Sequence, residues 1–397
     1  MGEHKSLNIL LAASDNNRDH GAFLSMMKLA ELLEKEHGHR VVIVVPYEGS
    51  GTELIREGGF RYYIVRSHDW IVSLQEAGSV ITAAKETVRR LWNIGAVSRI
   101  SKIIREEKID LVHVNTSWCY VGARAALRCK KPLVWHIREF LEEDQSMTIW
   151  RRKSGYRLMN RADRVIAISE SIGEKYSRVL DQKKIRVVPN GIDPSGYLDK
   201  KHTILRDESA EFLTVGSVSE GKGQKDVMEA CIRLYEDGFR DFTLRIVGYA
   251  GSEYAERLKA LAAASVCREQ IRFEGITDHP EQYYRRADIT FMASASEAFG
   301  RVTVEAMLGG SLVIGARSAG TAEIIKDKET GLLYRPGDAG DLADRIRETL
   351  QDKTRARRIA ENGREEALRR FSAGKNAEEI SGIYSELCGS MERRDRK

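Results

Sequence analysis

The chain has 397 residues, of which 42% are hydrophobic, 31% charged and only 6 proline. That is too long for one ordinary core and fits two ordered α/β domains of just under 200 residues each. The net charge of +5 is uneven: residues 1–200 hold 32 Lys and Arg against 25 Asp and Glu, and the remainder 32 against 34. The basic half has clusters at Lys85–Arg90, Arg99–Lys108 and Arg151–Arg164. Such faces usually just solvate a domain, but they suit an anionic acceptor or an anionic membrane surface. Nothing points to a nucleic acid.

Apolar runs rich in Val, Ile and Leu predict strands at Asn8–Ala13, Arg40–Pro46, Arg61–Val65, Leu111–Asn115, Leu133–His136, Val165–Ile168 and Ile185–Val188. A polar stretch from Asn190 to Ser209 reads as a linker, and the pattern restarts. Further strands are predicted at Phe212–Gly216, Thr243–Val247, Ile271–Glu274, Ile289–Met292 and Leu312–Ile314. Near-continuous apolar strands separated by amphipathic helices indicate parallel sheets covered on both faces. The expected architecture is two doubly wound domains, residues 1–190 and 191–373, facing each other across a cleft. Lys353–Met391 reads as helical, its last part, a helix at 374–397, crossing back to the first domain.

Several function classes lose support. The turn after Ala13 reads SDNNRDHGAF, so the glycine fingerprint of dinucleotide-binding proteins is missing, and there is no Walker A sequence. Five cysteines without a CxxC pair read as reduced cytosolic thiols. The run Leu7–Ala13 is too short to span a membrane or direct export. Met1-Gly2 with Ser6 matches a myristoylation pattern only by a short, accidental fit. The expected location is cytoplasmic, with peripheral contact at the inner face of the membrane as an extension of the basic first half.

Four constellations carry chemistry. VWHIREF places His136 and Arg138 after a buried strand; a lone His there is more often a satisfied structural group, but this one is expected to open onto the cleft. VVPNGID (Val187–Asp193) is a turn with hinge character. In VGSVSEGKGQKD, Lys222 stands between Gly221 and Gly223 where a strand passes into a helix. A cation near a helix start opposes the dipole, so an anionic partner such as a diphosphate would explain it. Finally, EAFGRVTVE sets Glu297 and Glu305 on either side of seven residues. Glu297 falls after a strand and Glu305 one turn into a helix, with Gly300 between them and free N–H groups suited to an anion. An isolated Glu pair is usually two solvated charges; the company of the Lys222 loop favours a site.

These blocks, with VIAISES at Val165, RVVPNGID at Arg186, IVGYAG at Ile246, IRFEGITD at Ile271, AGTAEII at Ala319 and TGLLYRPGD at Thr330, resemble the retaining nucleotide-sugar glycosyltransferases of family 4, which have the GT-B fold. VWHIREF is similar to a segment of transferases that build bacterial cell-surface or exopolysaccharide chains. The resemblance implies that Glu305 holds the ribose hydroxyls and Glu297 the donor sugar. It implies that backbone at Phe299, Gly300, Arg301, Val302 and Thr303 meets sugar or phosphate oxygens, and that Lys222 binds the diphosphate. The base edge would rest on Gly275, Ile276 and Thr277. His136 would touch the transferring sugar, and Gly21 and Arg138 would lie on the acceptor side. The donor would be a nucleotide sugar, a UDP-sugar before a GDP-sugar, and the acceptor a glycan or polyprenyl-linked chain. Neither a cofactor nor a metal is expected, because no DxD-type motif stands out. The chain departs from the family at Ser217, where an Arg is usual, which removes one positive charge from the diphosphate unless Arg301 or Arg138 supplies it. The alternatives are a nucleotide-sugar epimerase or hydrolase on the same fold, and a binding protein that has lost catalysis.

Overall fold

The structure, a computed structural model, describes residues 6–198, 203–206 and 209–395. The Met1-Gly2 pattern, parts of the Asn190–Ser209 linker and the last two residues of the 374–397 helix lie outside the described residues. Residue contacts divide the chain into two units. Unit 1 comprises residues 1–191 and 373–397, and unit 2 residues 192–372.

Unit 1 contains strands β1 (Asn8–Ala13), β2 (Arg40–Val45), β3 (Arg61–Ile64), β4 (Ile71–Ser73), β5 (Leu111–Asn115), β6 (Leu133–Ile137), β7 (Met147–Ile149), β8 (Arg164–Ala167) and β9 (Ile185–Val187). Seven of them form a parallel sheet in the order β3-β2-β1-β5-β6-β8-β9. The two remaining strands, β4 and β7, pair antiparallel on their own. At three residues each they carry too little periodicity to be expected from sequence. The strands that form the centre of the sheet, such as NILLAA and RVVIVV, are buried along almost their whole length, as strands covered by helices on both faces must be.

The predicted run Lys353–Met391 is two helices, Lys353–Phe371 and Ala373–Asp395. Ser372 is extended, at φ −68° and ψ 146°, and the division between the units falls there. The second helix completes the core of unit 1, burying Ala377, Ile380 and Tyr384 against residues of β1, β2 and the Gly21–Lys35 helix. It also closes a buried polar chain. Tyr384 Oη is 2.6 Å from His113 Nδ1, His113 Nε2 is 3.2 Å from His136 Nδ1, and Arg138 NH2 is 3.2 Å from the same Nδ1. A second tie joins Ser381 Oγ to His39 Nε2 at 2.9 Å.

This chain makes the fold acid-sensitive. Burial, followed by the nearby Arg138 charge, pushes His113 down to about 3 and His136 well below its ordinary value. With folded values depressed, the unfolded state binds the extra protons as pH falls below about 6.5, so stability is lost on acidification. Two such histidines should together cost about 3 kcal/mol between pH 6.5 and 5. Glu139 works the other way, since burial raises its carboxyl and its contribution grows as pH falls. Urea unfolding at those two pH values tests this; equal midpoints would rule it out.

Unit 2 contains β10 (Ala210–Val215), β11 (Phe242–Val247), β12 (Ile271–Gly275), β13 (Ile289–Met292), β14 (Leu312–Ala316) and β15 (Leu332–Tyr334). They form one parallel sheet in the order β12-β11-β10-β13-β14-β15. The strand order reverses between β10 and β13. In open parallel sheets that reversal leaves a crevice outside the strand carboxyl ends, the usual place for a ligand.

Candidate active site

The loops leaving β10 and β13 flank this reversal, and glycines let them come together. Gly223 has φ +68°, and a Cβ there would stand 2.1 Å from the Ala293 carbonyl oxygen. Ala295 N donates to Gly221 O at 3.0 Å. The loop carrying Lys222 is thus fastened directly to the loop carrying Glu297, and Lys222 Nζ donates to Glu297 Oε2 at 2.9 Å. The ammonium is partly exposed and the carboxylate mostly covered.

Beyond Glu297 the chain turns through Gly300 at φ +91° into the helix Arg301–Gly309, which stops at Gly310. Thr303 N turns inward onto Gly300 O at 3.0 Å, while its hydroxyl is buried without a partner. The Glu297 carbonyl accepts from Gly320 N at 2.9 Å, and a Cβ on Gly320 would stand 2.7 Å from Phe299 O. The loop is therefore clamped from both sides, which positions its N–H groups without help from a ligand.

Glu305 is almost fully buried and doubly held. Its Oε1 accepts from Arg301 NH2 at 3.0 Å and its Oε2 from Tyr284 Oη at 3.1 Å. A carboxylate has about four acceptor directions, so two remain for a pair of vicinal hydroxyls. Tyr197 packs its ring on Tyr284, centroids 5.9 Å apart. Sequence reasoning missed both tyrosines, because a Tyr in a short helix or linker reads as packing. Replacing Tyr284 by Phe should cost about 1 kcal/mol of stability and loosen Glu305; chemical denaturation together with ligand titration would show whether both effects occur.

The carboxyl ends of β10, β11 and β12 are also joined through glycines. Gly216 N donates to Val247 O, and Gly248 N to Gly275 O at 2.7 Å. Ile276, directly after β12, is 74% exposed, and Thr277 is half-buried beside it. Ser217 is exposed and its carbonyl accepts from Gln224 Nε2 at 3.1 Å.

Three expectations need correction. His136 does not open onto a ligand: it lies within β6 and has no exposed surface. If Tyr384 donates to His113 Nδ1, then His113 Nε2–H donates to His136 Nδ1, which also receives Arg138. The remaining His136 Nε2 is then a donor, and it has no partner. Arg138 does not provide a loose charge, since its guanidinium is buried and donates to Asn115 Oδ1 at 2.7 Å and to Asn190 Oδ1. Arg301 is likewise engaged, by Glu305. The Phe299 ring is buried edge-on against Phe371 at 5.7 Å. Gly21 opens the helix Gly21–Lys35 beyond β1. Among the described residues, no three His, Cys, Asp or Glu side chains gather as metal ligands would.

Comparisons with known proteins agree with this fold. Residues 20–195 match the profile described as "Glycosyltransferase Family 4" and residues 198–366 the one described as "Glycosyl transferases group 1". N-acetyl-alpha-D-glucosaminyl L-malate synthase of Bacillus anthracis is 26% identical over 311 residues, 75% of this chain and 80% of that protein. D-inositol 3-phosphate glycosyltransferase of Corynebacterium efficiens is 26% identical over 359 residues, 86% of this chain and 75% of that protein. The crystal structure of Anabaena Alr3699/HepE in complex with UDP superposes with a TM-score of 0.80 at 22% identity, covering 96% of this chain and 100% of that one. The same protein in complex with UDP-glucose gives 0.76 at 23%.

Proposed function

This chain belongs to the family 4 glycosyltransferases, with the GT-B fold, and from that premise we propose that it transfers a sugar from a UDP-sugar to an anionic or lipid-linked acceptor with retained anomeric configuration. The observation that carries the reading is the junction at the strand reversal of unit 2, where Lys222, Glu297, the helix start at Gly300 and Glu305 are fastened together. Glu305 takes the ribose hydroxyls with its two remaining acceptor directions. Glu297 takes hydroxyls of the donor sugar. Lys222 and the N–H groups at the helix start hold the diphosphate, and the exposed backbone at Gly275–Thr277 borders the base.

In the step itself the bond between the anomeric carbon and the diphosphate oxygen breaks, and a bond to the acceptor oxygen forms on the same face. The acceptor proton passes to the departing diphosphate. Lys222 stabilises the charge that develops there, the kind of interaction that strengthens only as the bond breaks. No metal is required in this reading, since a fixed ammonium and oriented amides replace one. UDP is supported by the Anabaena neighbour, solved with UDP and with UDP-glucose. An anionic acceptor is supported by the basic first half and by relatives named for L-malate and inositol 3-phosphate. A role in cell-surface polysaccharide synthesis rests on the VWHIREF segment.

A thermal-shift panel of UDP-, GDP- and ADP-sugars, with and without magnesium, tests the donor. A UDP-sugar at a hundred times its Kd should add about 2.7 kcal/mol, a shift of a few degrees that magnesium leaves unchanged. Glu305→Ala would leave the Tyr284 hydroxyl buried and unpaired, so Glu305→Gln, which keeps that bond, is the cleaner variant and should lose the shift. If no nucleotide sugar stabilises the wild type, the reading is wrong.

A further inference from the structure

The long helix Val80–Glu106 carries exposed apolar side chains opposite its buried face. Its inward face is buried through Asn93, Ala96, Ile100, Ile103 and Ile104. Val80, Ile81, Val88, Leu91, Trp92 and Ile94 are between 55% and 84% exposed. At 100° per residue these six fall within an arc of about 160°. A contiguous stripe of this kind on a folded domain marks a surface that something covers.

Beside the stripe runs a groove of about 500 Å³ bordered by Arg90, Arg124, Arg128 and Arg161, with Ile94, Val97, Leu127 and Leu158 along its apolar floor. Ile94 belongs to both features. Among the described residues none of the four guanidinium groups has a carboxylate partner; Arg90 and Arg124 stack over Trp150 and Tyr120 instead. Four unpaired cations around an apolar floor, next to an exposed tryptophan and leucine, match a surface that is anionic outside and hydrocarbon inside. A second copy of this chain is a poorer occupant, because a twofold contact through this face would set its arginines against the same arginines.

We propose that this face of unit 1 docks on an anionic bilayer, with Leu91 and Trp92 entering the interface and the arginine groove holding lipid phosphate. The transfer reading is not needed for this inference, which concerns a face of unit 1 outside the donor residues of unit 2. No helix among the described residues is long and apolar enough to cross a membrane, so the contact is one that rests on the surface. Docking there would bring a basic acceptor-side unit to wherever an acceptor is itself lipid-borne.

The test is flotation of the full chain with vesicles of phosphatidylcholine alone or of equal parts phosphatidylcholine and phosphatidylglycerol, at low and high salt. The wild type should float with the anionic vesicles only, and less at high salt. Each arginine near an anionic surface raises partition by about fivefold, so Arg128→Gln with Arg161→Gln should reduce it roughly twenty-five-fold. Leu91→Ser with Trp92→Ser should abolish flotation. All four side chains are at least partly exposed, and an unchanged urea midpoint in these variants shows that they fold. No flotation with anionic vesicles, or flotation unchanged in both double variants, overturns the proposal. Flotation absent while sedimentation shows a dimer that Leu91→Ser with Trp92→Ser disperses overturns it in favour of a second copy.

Discussion

Lys222→Ala is expected to lower the transfer rate about a hundredfold while leaving the melting temperature within a degree or two. The stability half follows from exposure. The Lys222–Glu297 pair is 2.9 Å long, but the ammonium is 42% exposed, and pairs open to solvent contribute at most about 1 kcal/mol. The rate half follows from position. Lys222 leaves the loop after β10 at the strand reversal, and its present partner is a carboxylate that the reading assigns to the sugar. A diphosphate arriving there carries more charge than Glu297, so the ammonium can turn to it while Glu297 is released to sugar hydroxyls. Steady-state kinetics would show the loss mainly in kcat, because the interaction grows as the leaving group develops charge. Lys222→Arg should recover only part of it, since a planar fork does not replace a point charge between two glycines. Should Lys222→Ala turn over as the wild type does, the pair is a surface ion pair and the charge on the diphosphate must be met elsewhere.

The second large effect is on stability. Gly223→Ala should destabilise unit 2 by about 2–4 kcal/mol, the sum of a left-handed backbone strain of roughly 1 kcal/mol and an overpacking cost of about 1–3 kcal/mol. The methyl group would meet the Ala293 carbonyl at 2.1 Å, its carbon at 2.8 Å and the Ala293 side chain at 2.9 Å. Two of these are backbone atoms and cannot rotate away. Relief requires the loop after β10 to part from the loop after β13, which would break the Ala295–Gly221 bond and carry Lys222 from Glu297. Chemical denaturation should therefore show a lower midpoint, and donor binding should weaken in parallel. Gly221→Ala is the matched control. A Cβ there meets nothing within 4 Å, so the same substitution two residues away should be nearly neutral. Equal midpoints for the two variants would show that the two loops are not held together as described.

The sheets were legible in the sequence because most strands are short runs rich in Val, Ile, Leu and Phe, the composition of a buried parallel strand. The helix start at Arg301 and its stop at Gly310 were legible for a related reason, since glycines mark both ends. What stayed hidden depends on atoms far apart in the chain. The contact of Gly223 with Ala293 spans the whole of β11 and β12, and a glycine two residues from another glycine reads as loop flexibility rather than as close approach. Tyr284 sits in no motif, and only its 3.1 Å bond to Glu305 sets it apart. His136 was read as the end of a strand when it is inside one. Burial on a central strand depends on which helices cover the sheet, and the Tyr384 that closes its chain comes from a helix nearly 250 residues later. The extended residue Ser372 had no signal of its own, because one such residue between two helices leaves the composition unchanged, although residues 374–397 were expected as a separate crossing segment.

That late helix has a consequence for synthesis. Unit 2 is one uninterrupted segment, so it can fold as soon as it leaves the ribosome. Unit 1 cannot, although most of it is made first. At about 5–20 residues per second, roughly ten to forty seconds of translation separate Gly191 from Ala373. Throughout that interval the pocket that receives Ile380 and Tyr384 is empty, and His39 and His113 face water instead of Ser381 and Tyr384. The half of the protein that emerges first is thus the last to be finished, and it waits on the nascent chain with its own core open.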